Sequence, residues 1–174
     1  MTGELTDSEL ASAAVGGNAD AIGILYDRHA RPLLAIAYRL LQSREDAEDV
    51  VHDVFVGLPE ALRRYEERGA LAAWLKQITA RVALARLRSM TAREQALDER
   101  HHAPRATAPE DVITLETAVR ALPPSLRAVL VLKEIEGFSH AEIARMLDIS
   151  VGASQVRLHR ALRLLRAALT KGDI

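Results

Sequence analysis

Apolar residues along this chain recur at the three-to-four-residue spacing of an α-helix, and one stretch, Thr91 to Asp111, loses that period. Such a pattern leaves room for little except helices packed on helices, because a stripe of apolar side chains must be covered by another element. The composition agrees: Ala, Leu, Arg and Glu recur throughout, aromatic residues make up 3%, and β-branched runs such as Val129 to Leu132 are short. With 174 residues and 49% hydrophobic content, the chain has core material for one medium domain or two small ones. Thr91 to Asp111 carries His101, His102, Pro104, Pro109 and small polar residues, the composition of a linker. The expected fold is all-α: a helical domain over residues 1–90, a flexible linker over 91–111 and a smaller helical domain over 112–174.

Start and stop signals divide these domains further. Thr6 with Glu9 is a capping-box pair that opens a helix over about Ser8 to Val15, and Gly16 and Gly17 stop it. Asp20 is read as the next start, with Pro32 breaking or kinking the segment that follows. Ser43 with Asp46 starts a helix whose apolar stripe runs from Ala47 to Leu62, weakened or bent at Gly57 and Pro59. Glu66 to Ala70 reads as a loop, and Leu71 to Leu87 as one long helix. In the second domain, a helix carrying Leu115, Val119 and Leu122 closes at Pro123 and Pro124, and Ser125 starts another. Ser139 to Glu142 is a second capping box, Ala141 to Leu147 a short helix, Asp148 to Ser150 a tight turn, and Val151 onward a long helix: a helix-turn-helix. Asp148 suits the turn because Asp tolerates left-handed backbone better than most residues.

The formal net charge is -1, but it is unevenly spread. Arg44 to Asp53 holds Glu45, Asp46, Glu48, Asp49 and Asp53 against a single arginine, whereas Val151 to Lys171 holds Arg157, Arg160, Arg163, Arg166 and Lys171 without an acid. Two partners of opposite charge follow naturally. A helical wheel at about 100° per residue puts Leu158, Leu162, Leu165 and Leu169 in one core-facing stripe and Ala153, Val156, Arg157, Arg160 and Arg163 on the other side. In a helix-turn-helix that other side enters the major groove, where arginines reach phosphates or guanine edges and a valine methyl touches a thymine methyl. An ordinary bundle helix with a solvated basic face presents the same stripe; the capping box and turn favour DNA contact.

Several chemistries are missing. There is no cysteine, which removes disulfides and thiolate zinc sites and fits a reducing, cytoplasmic setting. No apolar run approaches the roughly 20 residues needed to span a bilayer, and Glu4, Asp7 and Glu9 stand where a signal peptide would be basic. No glycine-rich phosphate loop, Gly-x-Ser-x-Gly or His-Glu-x-x-His is present, and His140-Ala-Glu142 imitates half a deaminase site without its cysteines. His29, His52, His101, His102, His140 and His159 are scattered and are given surface or capping roles, with no metal, cofactor or catalytic residue assigned.

Three strings carry a further signal: Ser43-Arg-Glu-Asp-Ala-Glu-Asp-Val-Val-His-Asp-Val-Phe55, Ala73-Trp-Leu-Lys-Gln-Ile-Thr-Ala-Arg81, and Glu136-Gly-Phe-Ser-His-Ala-Glu-Ile-Ala144 with Val151-Gly152 and Arg157-Leu-His-Arg-Ala161. In that order they resemble the polymerase-binding helix, the promoter-reading helix and the C-terminal helix-turn-helix of bacterial RNA polymerase sigma factors of the small, extracytoplasmic-function type. The strings stand in the family's order and cover nearly the whole chain. The resemblance implies a non-enzymatic initiation factor whose partners are core RNA polymerase, through the clamp helices of the largest subunit and the flap, and promoter DNA. It also admits an anti-sigma protein that masks the exposed helices. By resemblance, Asp46, Asp49, His52 and Asp53 bind polymerase; Arg64, Tyr65, Arg68, Lys76 and Arg81 hold the -10 element; and Ser139, Ala153, Val156, Arg157, Arg160 and Arg163 read the -35 element. Trp74 is read as core and left out. The family usually has Arg-Asn where Ala80-Arg81 stands, and commonly Thr-Val-Lys-Ser where Ala153-Ser154-Gln155-Val156 stands. Ser154 thus falls at the edge of the core stripe in place of an apolar residue, and its hydroxyl is expected to bond to a backbone carbonyl one turn back. Two other readings remain open from the residues: a free-standing helix-turn-helix regulator that binds an operator as a dimer, and a helical module that sequesters a partner.

Overall fold

Helix starts that the sequence marks with a hydroxyl are made in the structure by that hydroxyl. Thr6 and Ser139 form complete capping boxes with Glu9 and Glu142, and Ser43 accepts from the Asp46 amide. The computed structural model describes residues 5–65, 70–98 and 114–171, with backbone alone at 94–98 and Lys171. Among these residues there are nine α-helices and no strand: α1 (Asp7–Val15), α2 (Ala19–Leu41), α3 (Arg44–Val56), α4 (Leu58–Leu62), α5 (Leu71–Asp98), α6 (Leu115–Ala121), α7 (Pro124–Leu130), α8 (His140–Leu147) and α9 (Val151–Lys171). The chain divides into two compact bodies, residues 1–83 and 84–174, and the dividing point falls within α5.

In the first body α2 packs on α1 and α3, and α4 packs on α1 and α3. Leu10, Leu25, Leu33, Ile36, Leu40, Leu58 and Leu75 are almost wholly withdrawn from solvent, and Tyr26 of α2 meets Phe55 of α3 edge to face at 4.9 Å between ring centroids. Two boundaries differ from the sequence reading. Asn18 rather than Asp20 caps α2, its side chain accepting from the Ala21 amide. Pro32 does not end the helix; α2 runs through it for 23 residues. An internal proline costs about 3 kcal/mol, but Leu25 on one side of it and Leu33 and Ile36 on the other are buried. At about 1.5–3 kcal/mol for each such side chain, the continuous apolar face outweighs the break. Farther on, the expected weakening at Gly57 and Pro59 is a true boundary: α3 ends at Gly57 and α4 starts with Pro59 in its first turn.

The long fifth helix also outruns its expected end. It continues through Asp98, so the first part of the stretch read as linker is helical, and 99–113 lie outside the described residues. Thr91 to Asp98 lacks an apolar period, but Ala, Arg, Glu, Gln and Leu are strong helix formers that extend a helix already nucleated. Of the loop read over Glu66 to Ala70, positions 66–69 lie outside the described residues.

In the second body α6, α7 and α8 pack on α9 around Ala118, Leu122, Leu130, Ala161 and Leu165. The helix that begins at Pro124 passes into a wide π-type turn over Val131–Ile135, where the Glu136 amide donates to the Val131 carbonyl five residues back at 3.0 Å. Arg127 is buried, and its Nη1 donates to the carbonyls of Arg120 and Leu122 at the end of α6. This guanidinium closes the helix terminus that Pro123 interrupts, and desolvation holds its pKa below the usual arginine range.

Candidate functional site

The second body presents the expected helix-turn-helix. Ser139 accepts from the Glu142 amide, and the Glu142 carboxylate accepts from both the Ser139 hydroxyl and amide, bonds that hold the Glu142 pKa below the ordinary glutamate range. At the other end of α8, Asp148 takes left-handed backbone, φ 54°, and the Ala144 carbonyl accepts from the amides of Asp148 and Ile149. Ser150 then opens α9, its Oγ accepting from the Ala153 amide at 3.0 Å. Caps at both ends of the turn leave the two helices little freedom relative to the chain between them.

The face that α9 buries is rotated from the expected one. Ser154, Ala161 and Leu165 are buried and Leu158 and Leu169 partly so, whereas Leu162 is 39% exposed. On a wheel this moves the centre of the stripe by about 30°. Leucines marked the stripe in the sequence, but its centre is built from small residues because α9 comes close to the other helices there. Val156, Arg160 and Arg163 stand in the open, as expected, while Ala153 and Arg157 are half-buried at the flank of the stripe. The same rotation opens Gln155 and His159, which the sequence reading left out. Ser154, fully buried, does not bond to a carbonyl one turn back; its Oγ lies 2.9 Å from Nδ1 of His140 in the first turn of α8.

In the first body, α3 turns Ala47, Val50, Val51, Val54 and Phe55 inward. Asp49, His52 and Asp53 are exposed and Asp46 is half-buried, all on the outer side. Val56 ends that outer face and is 67% exposed, an apolar side chain among acids. Periodicity could not single it out, since a valine at a helix end is also a core candidate.

The residues read for the -10 element are not all gathered. Tyr65 packs on Trp74 with ring centroids 4.8 Å apart, and Trp74, read as core, is half-buried. Arg81 is exposed seven residues beyond Trp74 and hence on the same face of α5. Arg64 is exposed and lies 3.8 Å from Glu60. Lys76 is half-buried, about 140° around the helix from Arg81, and Arg68 lies outside the described residues. Ala80 is fully buried, so of the Ala80-Arg81 pair only the arginine faces solvent.

The histidines divide. His52 and His159 are exposed, but His29 is paired with Asp7 at 2.8 Å alongside Arg28 at 3.1 Å, tying α1 to α2 just before Pro32, and His140 holds Ser154. His101 and His102 lie outside the described residues. Among the described residues, no helix is long and apolar enough to cross a membrane, and no histidine and carboxylate group is arranged to hold a metal ion.

The chain matches the Sigma-70 region 2 family over residues 25–93 and the Sigma-70 region 4 family over 113–165. It is 32% identical over 160 residues to the ECF RNA polymerase sigma factor SigM of Mycobacterium tuberculosis, covering 91% of this chain and 82% of that one. To the RNA polymerase sigma factor CarQ of Myxococcus xanthus it is 31% identical over 159 residues, 88% and 91% of the two chains. Among solved structures it is similar to CnrH in complex with the cytosolic domain of CnrY, at 30% identity and a TM-score of 0.58 over 97% of this chain and 99% of that one. RpoE of Bartonella quintana, solved with the anti-sigma factor NepR, shares the fold at 24% identity and a TM-score of 0.59, over 83% and 92% of the chains. Nothing among these matches supports a free-standing dimeric regulator. Two helical bodies joined in the order region 2 then region 4, with full-length likeness to named sigma factors, show that the chain belongs to the ECF RNA polymerase sigma factors and is a promoter-recognising initiation factor.

Proposed function

We propose that the two bodies divide the work of initiation by charge. The outer face of α3, with Asp46, Asp49, His52 and Asp53, docks on a basic surface of core RNA polymerase, the clamp helices of its largest subunit. Val56 supplies an apolar contact at the end of the same face. Arg64, Arg81 and the Tyr65–Trp74 pair hold the opened -10 element, the arginines on the backbone and the aromatic pair against an unstacked base. Arg68, outside the described residues, and Lys76, on another side of α5 from Arg81, are the further cations proposed for the promoter backbone. The α8–α9 unit enters the -35 major groove: Ser139 and the α8 N-terminus meet a phosphate, and Val156, Arg157, Arg160 and Arg163 meet base edges and backbone, with Ala153 at the close approach. The chain supplies contacts rather than chemistry, and its partner sets its place of work in the cytoplasm. The polymerase flap and a masking anti-sigma protein are the further partners proposed. The second rests on the exposed acidic and basic helices and on CnrH, which is similar to this chain and was solved bound to CnrY.

The observation that carries the reading is the open face of α9: Val156, Arg160 and Arg163 exposed, no acid along the helix, and a capped helix-turn-helix holding it. Run-off transcription with purified core polymerase on a genomic fragment library tests it. The expected result is initiation that depends on both promoter elements; Arg160→Ala with Arg163→Ala lowers use of the upstream element at least tenfold and leaves core-polymerase binding unchanged. DNA binding as a dimer without polymerase, and no initiation with it, would overturn the reading.

A further inference from the structure

The hydrogen bond between His140 and Ser154 joins the first turn of α8 to the first turn of α9. It is the one side-chain bond of the Ser154 hydroxyl among the described residues, and that hydroxyl is fully buried in the middle of the stripe that α9 packs inward. Apolar packing alone is non-directional and lets a helix roll about its axis at small cost, whereas a hydrogen bond weakens steeply once its angle or length departs from the optimum. His140 is itself fixed, because it follows the Ser139 cap whose box with Glu142 sets the start of α8. Ser154 is fixed in turn by its amide, which donates to the Ser150 carbonyl at 3.0 Å.

We propose that His140 and Ser154 are positioning residues that set the rotation of α9, and thereby the base selectivity of the helix-turn-helix, while adding little to its overall grip on DNA. The inference rests on the proposed role of α9 in reading the upstream promoter element. A helix with its side chains is about 10–12 Å across, so a roll of roughly 20° sweeps its surface by about 2 Å. Contacts to base edges hold within a few tenths of an ångström, and a shift of that size loses them. Long arginines on phosphates, such as Arg160 and Arg163, follow the backbone through the same roll. Either hydrogen position serves: the hydroxyl donates to Nδ1 of one imidazole tautomer, or Nδ1–H donates to the hydroxyl in the other. His140 is half-buried, so water reaches it when the serine hydroxyl is removed and Ser154→Ala strands no group in the core, whereas His140→Ala leaves the buried hydroxyl without its imidazole partner.

The test uses the full-length chain with core polymerase, on a promoter fragment selected from a genomic library and on the same fragment scrambled over its upstream element. The ratio of initiation on the two fragments reads selectivity. Ser154→Ala and His140→Ala should each lower that ratio about tenfold, and the pair together no further than either alone. Binding of the scrambled fragment should stay within about twofold in both variants, and the melting temperature of Ser154→Ala within about 5 °C of the wild type. His140→Asn, whose amide takes the place of Nδ1, should restore most of the ratio. An unchanged ratio in Ser154→Ala, or His140→Asn as impaired as His140→Ala, overturns the positioning role. A wild-type chain that does not distinguish the fragments overturns the reading of α9 instead.

Discussion

The two bodies fix their cores by different means. In the first, seven large aliphatic side chains from Leu10 to Leu75 are almost completely buried, and a single buried hydroxyl, Thr79, has no hydrogen-bond partner among the described residues. Among the described residues of the second, two polar side chains are buried and each reaches a named atom on another element: Arg127 to the end of α6 and Ser154 to His140 on α8. The difference teaches what each core has to decide. A thick aliphatic core is stable whatever the small rotations of its helices, and that suffices for a platform. A small body that must hold one helix at a set angle gains from bonds with direction. Buried polar contacts in the second body should therefore carry both stability and orientation, whereas in the first the polar tie of Asp7 to Arg28 and His29 lies at the edge of the core.

The largest effect expected from this contrast is in the aliphatic core. Leu40→Ala removes a fully buried side chain of α2 and should lower the stability of the first body by about 2–5 kcal/mol. Urea unfolding followed by the fluorescence of Trp74, which lies in that body, measures it. A loss below about 1 kcal/mol would mean the core collapses into the space and is not rigidly packed. Next comes the buried arginine. Arg127→Leu keeps an apolar stem but leaves the Arg120 and Leu122 carbonyls without the guanidinium, for an expected loss of about 2 kcal/mol. Amide hydrogen exchange should quicken by about thirtyfold in α6 and α7 while the first body is untouched. Buried charges replaced by hydrophobic residues are sometimes neutral or stabilising, and a protected α6 in this variant would break the contrast between the bodies.

What the sequence discloses follows the same division. Local signals were legible: both capping boxes, the Ser43 cap, the boundary at Gly57 and Pro59, and the left-handed Asp148 all depend on residues within one turn of each other. Contacts between distant elements were not. The continuity of α2 through Pro32 depends on burial against α1 and α3, which no local rule contains. Of the leucines on which the core stripe of α9 was placed, Leu158, Leu165 and Leu169 do pack inward, but the stripe also takes in Ser154 and Ala161, small side chains that hydropathy ranks low, and leaves Leu162 open. Ser154 was singled out as a residue in need of a partner, but that partner comes from fourteen positions away, beyond any helical repeat. Of the candidate site, the charged faces were read from composition along two helices, while the Tyr65–Trp74 pair and exposed Val56 required coordinates.

The smallest and most discriminating change is at Thr79. Its hydroxyl is buried in the first body and bonds to nothing described there, so folding strips water from it with no return. Thr79→Val keeps the shape and the β-branch, and with them nearly the same helix propensity, but removes that cost. A buried unsatisfied group costs about 1–3 kcal/mol, and the methyl fills the same space, so the variant should gain about 1 kcal/mol in urea unfolding. Initiation by the variant should stay at the wild-type level on both the intact and the scrambled promoter, because no directional contact has been lost. A hydroxyl that costs stability in one body and a hydroxyl that orients a helix in the other would then respond to deletion in opposite ways. Destabilisation of Thr79→Val by about 1 kcal/mol would mean that the hydroxyl is bonded after all, and the core of the first body would then contain a fully buried oriented hydroxyl like Ser154 of the second.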